Sequence, residues 1–214
     1  RDYANGFKIS NKLVKNYPKS SEALAWKAYF TYAKGQGPNK DEALNMQKEA
    51  IKLDMKSSTT WRISAQLYKE MLDYKGALRC SVMASKLNPT DVNLINDIAT
   101  LNLYDKNYRE FLKYTREVFD KTPNSYSIVR FLFALAMNKS YEQANQSAEV
   151  FQNNWKPTTA EDEHLFRSEF SLFRCILYIR SEQYQECLDF MNKAQDVIRD
   201  KELMKENQIT CLMA

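Results

Sequence analysis

What the chain has little of narrows the choice of fold. Four glycines and five prolines serve every turn in 214 residues. That is too few for a sandwich or barrel, so strands are not expected and long helices are. No apolar run approaches the roughly 20 residues that span a bilayer. The opening residues, RDYANGFKIS, carry no charged-then-apolar leader. These absences lead to the expectation of a cytoplasmic chain with no membrane partner. Neither sign of charge dominates, with 31 basic and 27 acidic residues interspersed, so any nucleic-acid contact must come from a local basic site rather than from bulk charge.

Catalysis and ligand binding lack their usual parts as well. The single histidine, His164, sits in an acidic helix start with no elbow-like motif around a nucleophile and reads as a surface side chain. Cys80, Cys175, Cys187 and Cys211 form no CxxC pair and read as reduced core thiols, so no metal site is expected. Gly6, Gly35, Gly37 and Gly76 build neither a P-loop nor a GxGxxG turn, and phosphate or coenzyme cradles need glycine so that backbone can approach the ligand. The expectation is therefore no catalytic residue, no metal, no cofactor and no small-molecule substrate.

What is present is a repeat. The string DYKGA at 73–77 returns as DYANG at 2–6, NYREF at 107–111, SYEQA at 140–144 and QYQEC at 183–187. Ala43, Ala77, Phe111 and Ala144 are spaced 34, 34 and 33 residues apart, and Ala50, Ala84, Val118 and Phe151 keep the same intervals. Met55, Pro89, Pro123 and Pro157 recur every 34 residues, as do Trp61, Ile95 and Val129, and Ala65, Ala99 and Phe133. A period near 34 is the mark of the tetratricopeptide helix-turn-helix.

The letters have physical reasons. In each pair the first helix needs a large apolar residue and a small one four places on, which share one face. In the second helix, alanines mark a close-contact stripe, and the tyrosine opens that helix to cover the junction. The recurring prolines stop it, because proline lacks the amide donor. The fold class expected is all-α: a tetratricopeptide right-handed superhelix, an α-α solenoid of about twelve helices. The first helix falls at about 2–16, followed by pairs at about 21–53, 58–87, 91–121 and 125–155. Residues 1–157 are taken as the repeats, the first of them incomplete. Residues 158–214 are taken as a longer hairpin, capped at Thr159, plus the start of a further helix. The ends of the chain suggest a fragment of something longer.

Two sets of surface residues are candidates for function. Trp26, Tyr29, Arg62, Gln66, Asn96, Thr100 and Arg130 fall off the packing stripe on first helices, the helices that line the concave side of such a solenoid, where peptides and proteins dock. Lys8, Lys12, Lys15 and Lys19 form a basic stripe at i, i+4, i+7 and i+11, and Arg109, Lys113 and Arg116 form a shorter one. Such stripes collect RNA phosphates when they are not simply a solvated helix face.

The run DEALNMQKEAIKLDMKSSTTWRISAQLYKEMLDYKGALRCSVMASKLNPTDVNLINDIATL, and after it the non-repeat hairpin SEFSLFRCILYIRSEQYQECLDFMNKAQDVIRDK, resemble the large auxiliary subunit of the N-terminal acetyltransferase A (NatA) complex. LDMKSSTTW, with Lys-Ser where a proline usually precedes the Trp, is the most specific piece. The KGQGPNK insertion and Phe111 in place of alanine depart from the generic repeat. The resemblance implies a non-catalytic scaffold that wraps a separate catalytic acetyltransferase subunit and sits with it on the ribosome. The basic stripe at Lys8 to Lys19 then becomes a candidate ribosome-facing surface. A generic tetratricopeptide adaptor for a peptide tail, and an enzyme that carries these repeats as a targeting arm, stay open as alternatives.

Overall fold

The computed structural model describes residues 2–35, 39–154 and 160–214, with the side chains of 160–165 excepted. Among them are twelve helices and no strand. None of these helices is long and apolar enough to cross a membrane. Pro157 and Thr159, and the side chain of His164, lie outside the described residues.

The first helix is α1 (Tyr3–Asn16). Hairpins follow: α2 (Ser21–Gly35) packs on α3 (Lys40–Leu53), and α4 (Ser58–Glu70) on α5 (Tyr74–Leu87); α6 (Val92–Tyr104) and α7 (Tyr108–Lys121) come next along the chain, and then α8 (Ser125–Met137) packs on α9 (Tyr141–Asn154). The last three are α10 (Ala160–Arg180), α11 (Tyr184–Ala194) and α12 (Lys201–Met213). The chain divides into two compact units, Arg1–Tyr114 and Thr115–Ala214.

The tyrosine of the repeated string is the first residue of α1, α5, α7, α9 and α11. Ahead of it stands one recurring turn. Leu72, Lys106, Lys139 and Glu182 are left-handed, with φ of 58° to 60°. The next amide reaches back five residues in every case, Asp73 to the Tyr68 carbonyl, Asn107 to Asn102, Ser140 to Leu135 and Gln183 to Tyr178. This closure satisfies carbonyls that the end of a helix leaves without partners. The residue it delivers then starts the second helix: Asp73 caps α5 by accepting from the Gly76 amide at 2.8 Å. Tyr74, one residue on, packs against Tyr104 of the following pair at 5.1 Å.

In the first unit the small residues do as the repeat requires. Ala25 and Ala28 of α2, and Ala43 and Ala50 of α3, are fully buried and pack with Tyr29, Ile63 and Leu67 in one core. A buried polar chain crosses it: Thr60 donates to the Ser21 hydroxyl at 3.0 Å, Ser64 to the Thr60 carbonyl at 2.8 Å, and the Gln47 amide to Ser64. Slipping α4 by one residue would orphan these groups.

Two packing expectations need correction. Val129 and Phe133 do not continue the large and small positions of Trp61/Ala65 and Ile95/Ala99. Those places fall to Ile128 and Leu132, both fully buried, while Phe133 is 38% exposed. Only three residues separate α7 from α8 where four separate α5 from α6, and the missing residue lies after Pro123, so every later position shifts by one. Trp61 is only half-buried, and its indole donates to the Met55 carbonyl at 2.9 Å. A large ring at the start of a first helix reaches past the core edge to the preceding loop.

In the second unit, α10 has 21 residues. Cys175 of α10, Cys187 of α11 and Cys211 of α12 converge with Met191 in one buried cluster. All four cysteines are free and buried.

Candidate functional site

Of the seven residues expected on the concave side, four come together. Trp26, Tyr29, Arg62 and Gln66 line a groove of about 380 Å³ in the first unit, completed by Ile63, Asn93, Leu94 and Asp97. It forms where α2, α4 and α6 succeed one another. Trp26, 36% exposed, is the aromatic wall, held by stacking on Phe30 at 5.7 Å and by an edge contact to Tyr29 at 5.8 Å.

Tyr29 corrects the expectation that it sits off the packing stripe. It is only 8% exposed and belongs to the core, and it meets the groove by one edge. Its hydroxyl donates to Glu70 Oε1 at 2.9 Å, which fixes the ring and closes its polar end.

The charges along the groove are paired across neighbouring helices. Arg62 Nη1 stands 4.0 Å from Asp91 Oδ2, and Lys69 Nζ stands 3.1 Å from Asp97 Oδ1. At the surface such pairs hold geometry more than they add stability. Gln66, Asn93 and an Arg62 loosely held by its carboxylate leave hydrogen-bonding groups facing the opening beside an aromatic wall. This chemistry suits a peptide or protein segment.

Asn96, Thr100 and Arg130 are not brought to this groove. Thr100 turns back on its own helix, its hydroxyl donating to the Asn96 carbonyl at 2.9 Å. Arg130 lies in the second unit, donating to the Tyr126 hydroxyl at 2.8 Å with its guanidinium 5.5 Å from that ring. Asn96 and Thr100 are one period on from Arg62 and Gln66, but a groove is lined by the facing edges of neighbouring helices, not by equivalent ones. The α6 edge that faces α4 carries Asn93 and Asp97, four residues apart, and that i, i+4 spacing of polar residues is the signal that marks them.

Lys8, Lys12 and Lys15 are exposed along α1, and Lys19 is exposed just beyond it. Ile9 and Leu13 of the same helix, and Tyr17 at its end, are also exposed. Two residues of the shorter stripe are spent locally. Lys113 pairs with Glu110 at 3.4 Å, and Arg116 with Asp120 at 3.8 Å. Among the described residues no group of three or more histidines, cysteines or carboxylates could hold a metal ion.

No family model matches the chain. It is 22% identical over 214 residues to the N-terminal acetyltransferase A complex auxiliary subunit NAA15 of Arabidopsis thaliana, a match to 99% of this chain and 24% of that one. It is 22% identical over 209 residues to the human NatA auxiliary subunit N-alpha-acetyltransferase 16, covering 96% of this chain and 24% of that one. The chain thus spans about a quarter of the length of these relatives. Among solved structures, that of Naa15/Naa10 bound to HypK-THB superposes with a TM-score of 0.77 at 20% identity, over 100% of this chain and 32% of that one. YrrB, a tetratricopeptide protein with an unusual peptide-binding site, superposes with a TM-score of 0.68 at 15% identity, over 94% of this chain and 97% of that one. The fold is tetratricopeptide, and along nearly all its length the chain is similar to the auxiliary subunits of the NatA complex.

Proposed function

We propose that this chain is part of a non-catalytic scaffold that holds a catalytic N-terminal acetyltransferase and helps to anchor it at the ribosome, so that nascent chains are acetylated as they emerge. The observation that carries the reading is the similarity to NatA auxiliary subunits over 99% of the chain. The two surfaces divide the work. The groove of Trp26, Arg62 and Gln66 receives a protein segment, and the lysines of α1 face ribosomal RNA. Their spacing puts Lys8, Lys12 and Lys15 along a strip of helix where each neutralises a phosphate and releases its counterion. The chain acts in the cytoplasm in this reading, where nascent chains are met.

The anchoring is tested by reversing Lys8, Lys12 and Lys15 to Glu in the full-length protein and sedimenting it with ribosomes. The reversal weakens co-sedimentation at low salt, and the defect shrinks as salt is raised and screens the parent's contacts too. Co-sedimentation equal to the parent at low salt removes the RNA contact from the reading and leaves the scaffold untouched.

A second reading is a general adaptor for a peptide tail. It is favoured by the groove itself, whose 380 Å³ and aromatic wall suit one or two side chains of an extended peptide. Capture of a catalytic acetyltransferase by the full-length protein separates the two.

A further inference from the structure

A second cavity, of about 870 Å³, lies wholly within the second unit, where the end of α7, the start of α8 and one edge of α9 meet. Its floor is aromatic. Phe119 stacks on Phe131 at 5.7 Å and meets Phe151 edge-on at 6.2 Å. The repeat explains why a cavity opens here. Phe151 stands at the position held by Ala50 and Ala84, which are fully buried at close helix contacts. A ring at that position keeps the neighbouring helix from closing to the alanine distance, and space remains above it. Val150, 63% exposed, carries the apolar wall out to the mouth.

The rim is polar without net charge. The charged residues of the lining, Arg116 and Asp120, pair with each other at 3.8 Å. The remainder of the α9 edge offers the amides of Gln143, Gln146 and Asn154. Each amide both donates and accepts, as peptide groups do. Gln146 Nε2 donates to Glu142 Oε1 at 3.4 Å and Asn154 Nδ2 to the Val150 carbonyl at 2.8 Å, so the amide oxygens are what these two bring to a ligand.

We infer that this cavity binds an extended, uncharged peptide segment, seating one bulky apolar side chain on the three phenylalanines while the peptide backbone exchanges hydrogen bonds with Gln143, Gln146 and Asn154. The volume falls within the range of ligand pockets, and an aromatic floor with a few convergent polar groups is their usual make-up. A phosphate or fatty-acid carboxylate calls for a cation without a partner, and the one cation of the lining is already paired. The site is separate from the groove of the first unit and does not depend on the scaffold reading.

The test uses a dansyl-labelled neutral peptide with blocked ends, Ser-Leu-Trp-Ala-Ser, and the same peptide with Ala for Trp, each titrated with the chain and followed by anisotropy. Val150→Arg blocks the mouth from an exposed position, with circular dichroism to show that the helices are kept. Lys48→Glu, at an exposed position of α3 that lines neither cavity, is the control. The Trp peptide binds in the micromolar range, the Ala peptide and Val150→Arg each weaken binding by about tenfold or more, and Lys48→Glu changes nothing. Equal binding of the two peptides, indifference to Val150→Arg, no binding up to about 1 mM, or displacement of the Trp peptide by dodecanoate below its critical micelle concentration each overturns the proposal.

Discussion

The Tyr29 hydroxyl donates to Glu70 Oε1 at 2.9 Å, tying the middle of α2 to the last residue of α4. The two residues are 41 apart and belong to successive helix pairs, so this bond locks one pair to the next beside the groove. Tyr29→Phe keeps the packed ring and loses the bond to a charged acceptor, which costs about 1.5 to 3 kcal/mol. Tyr29→Ala removes the ring as well and costs about 3 to 5 kcal/mol. Urea unfolding of both variants checks the order, and equal losses would mean that the ring alone matters.

The left-handed turn between the helices of a pair carries a side chain at every occurrence described. Leu72 is 71% exposed with φ 58°, so its side chain gains little from packing while its backbone holds a conformation that costs an L-residue about 1 kcal/mol or more. Leu72→Gly therefore raises stability by about 0.5 to 1 kcal/mol, less than the strain removed because glycine also frees the unfolded chain. Lys139→Gly, at φ 60°, does the same. A lowered midpoint in chemical unfolding for both would contradict this account of the turn.

Ala77 is fully buried, whereas Trp61 is half-buried with its indole bonded to a loop carbonyl. Ala77→Arg forces a charge into a helix contact and abolishes the cooperative unfolding transition. Trp61→Ala costs about 1 to 3 kcal/mol, below the range for a fully buried Trp. Thermal melts of the two variants, read side by side, show whether the close-contact stripe or the ring at the start of α4 dominates.

The contrast between those residues marks what the sequence made legible. Helix limits were readable because Asp73, Tyr74 and Pro89 are local signals, and each helix pair lies where its period put it. The half-burial of Trp61 was not, since periodicity assigns a face and not how far a large ring overhangs it. The shift from Phe133 to Leu132 comes from a single residue missing between α7 and α8; the 33-residue interval from Val118 to Phe151 shows that one residue is lost but not on which side of α8. The groove was half legible. Trp26, Arg62 and Gln66 followed from the repeat, but Asn93 and Asp97 face them from a different edge of the next helix. The phenylalanine cavity follows from Phe151 at the position of Ala50 and Ala84, and the shared interval says nothing of the space that a ring there would open.

The Cys80 thiol is pushed up to about 12 by burial, from an ordinary value of 9.0. The folded chain holds this proton where the unfolded chain has lost it, so the contribution to stability is full below pH 9.0 and falls as pH rises toward about 12. Cys80→Ala therefore loses less stability than the parent between pH 8.5 and about 10.5, as measured by urea midpoints. In the native parent, a disulfide reagent at pH 8 modifies the four buried thiols only as fast as the chain unfolds. Rapid native labelling would contradict the buried placement.

The central claim is that this chain belongs to a scaffold and leaves the chemistry to a partner. The direct measurement is reconstitution of the full-length protein with a catalytic N-terminal acetyltransferase, followed by size-exclusion chromatography and acetyl transfer from acetyl-CoA to N-terminal peptides. The account predicts that the two proteins co-elute, that the full-length protein alone transfers nothing, and that Arg62→Glu with Trp26→Ala weakens the complex while the helices stay intact. Separate elution at micromolar concentration, or turnover by the full-length protein without its partner, would contradict it.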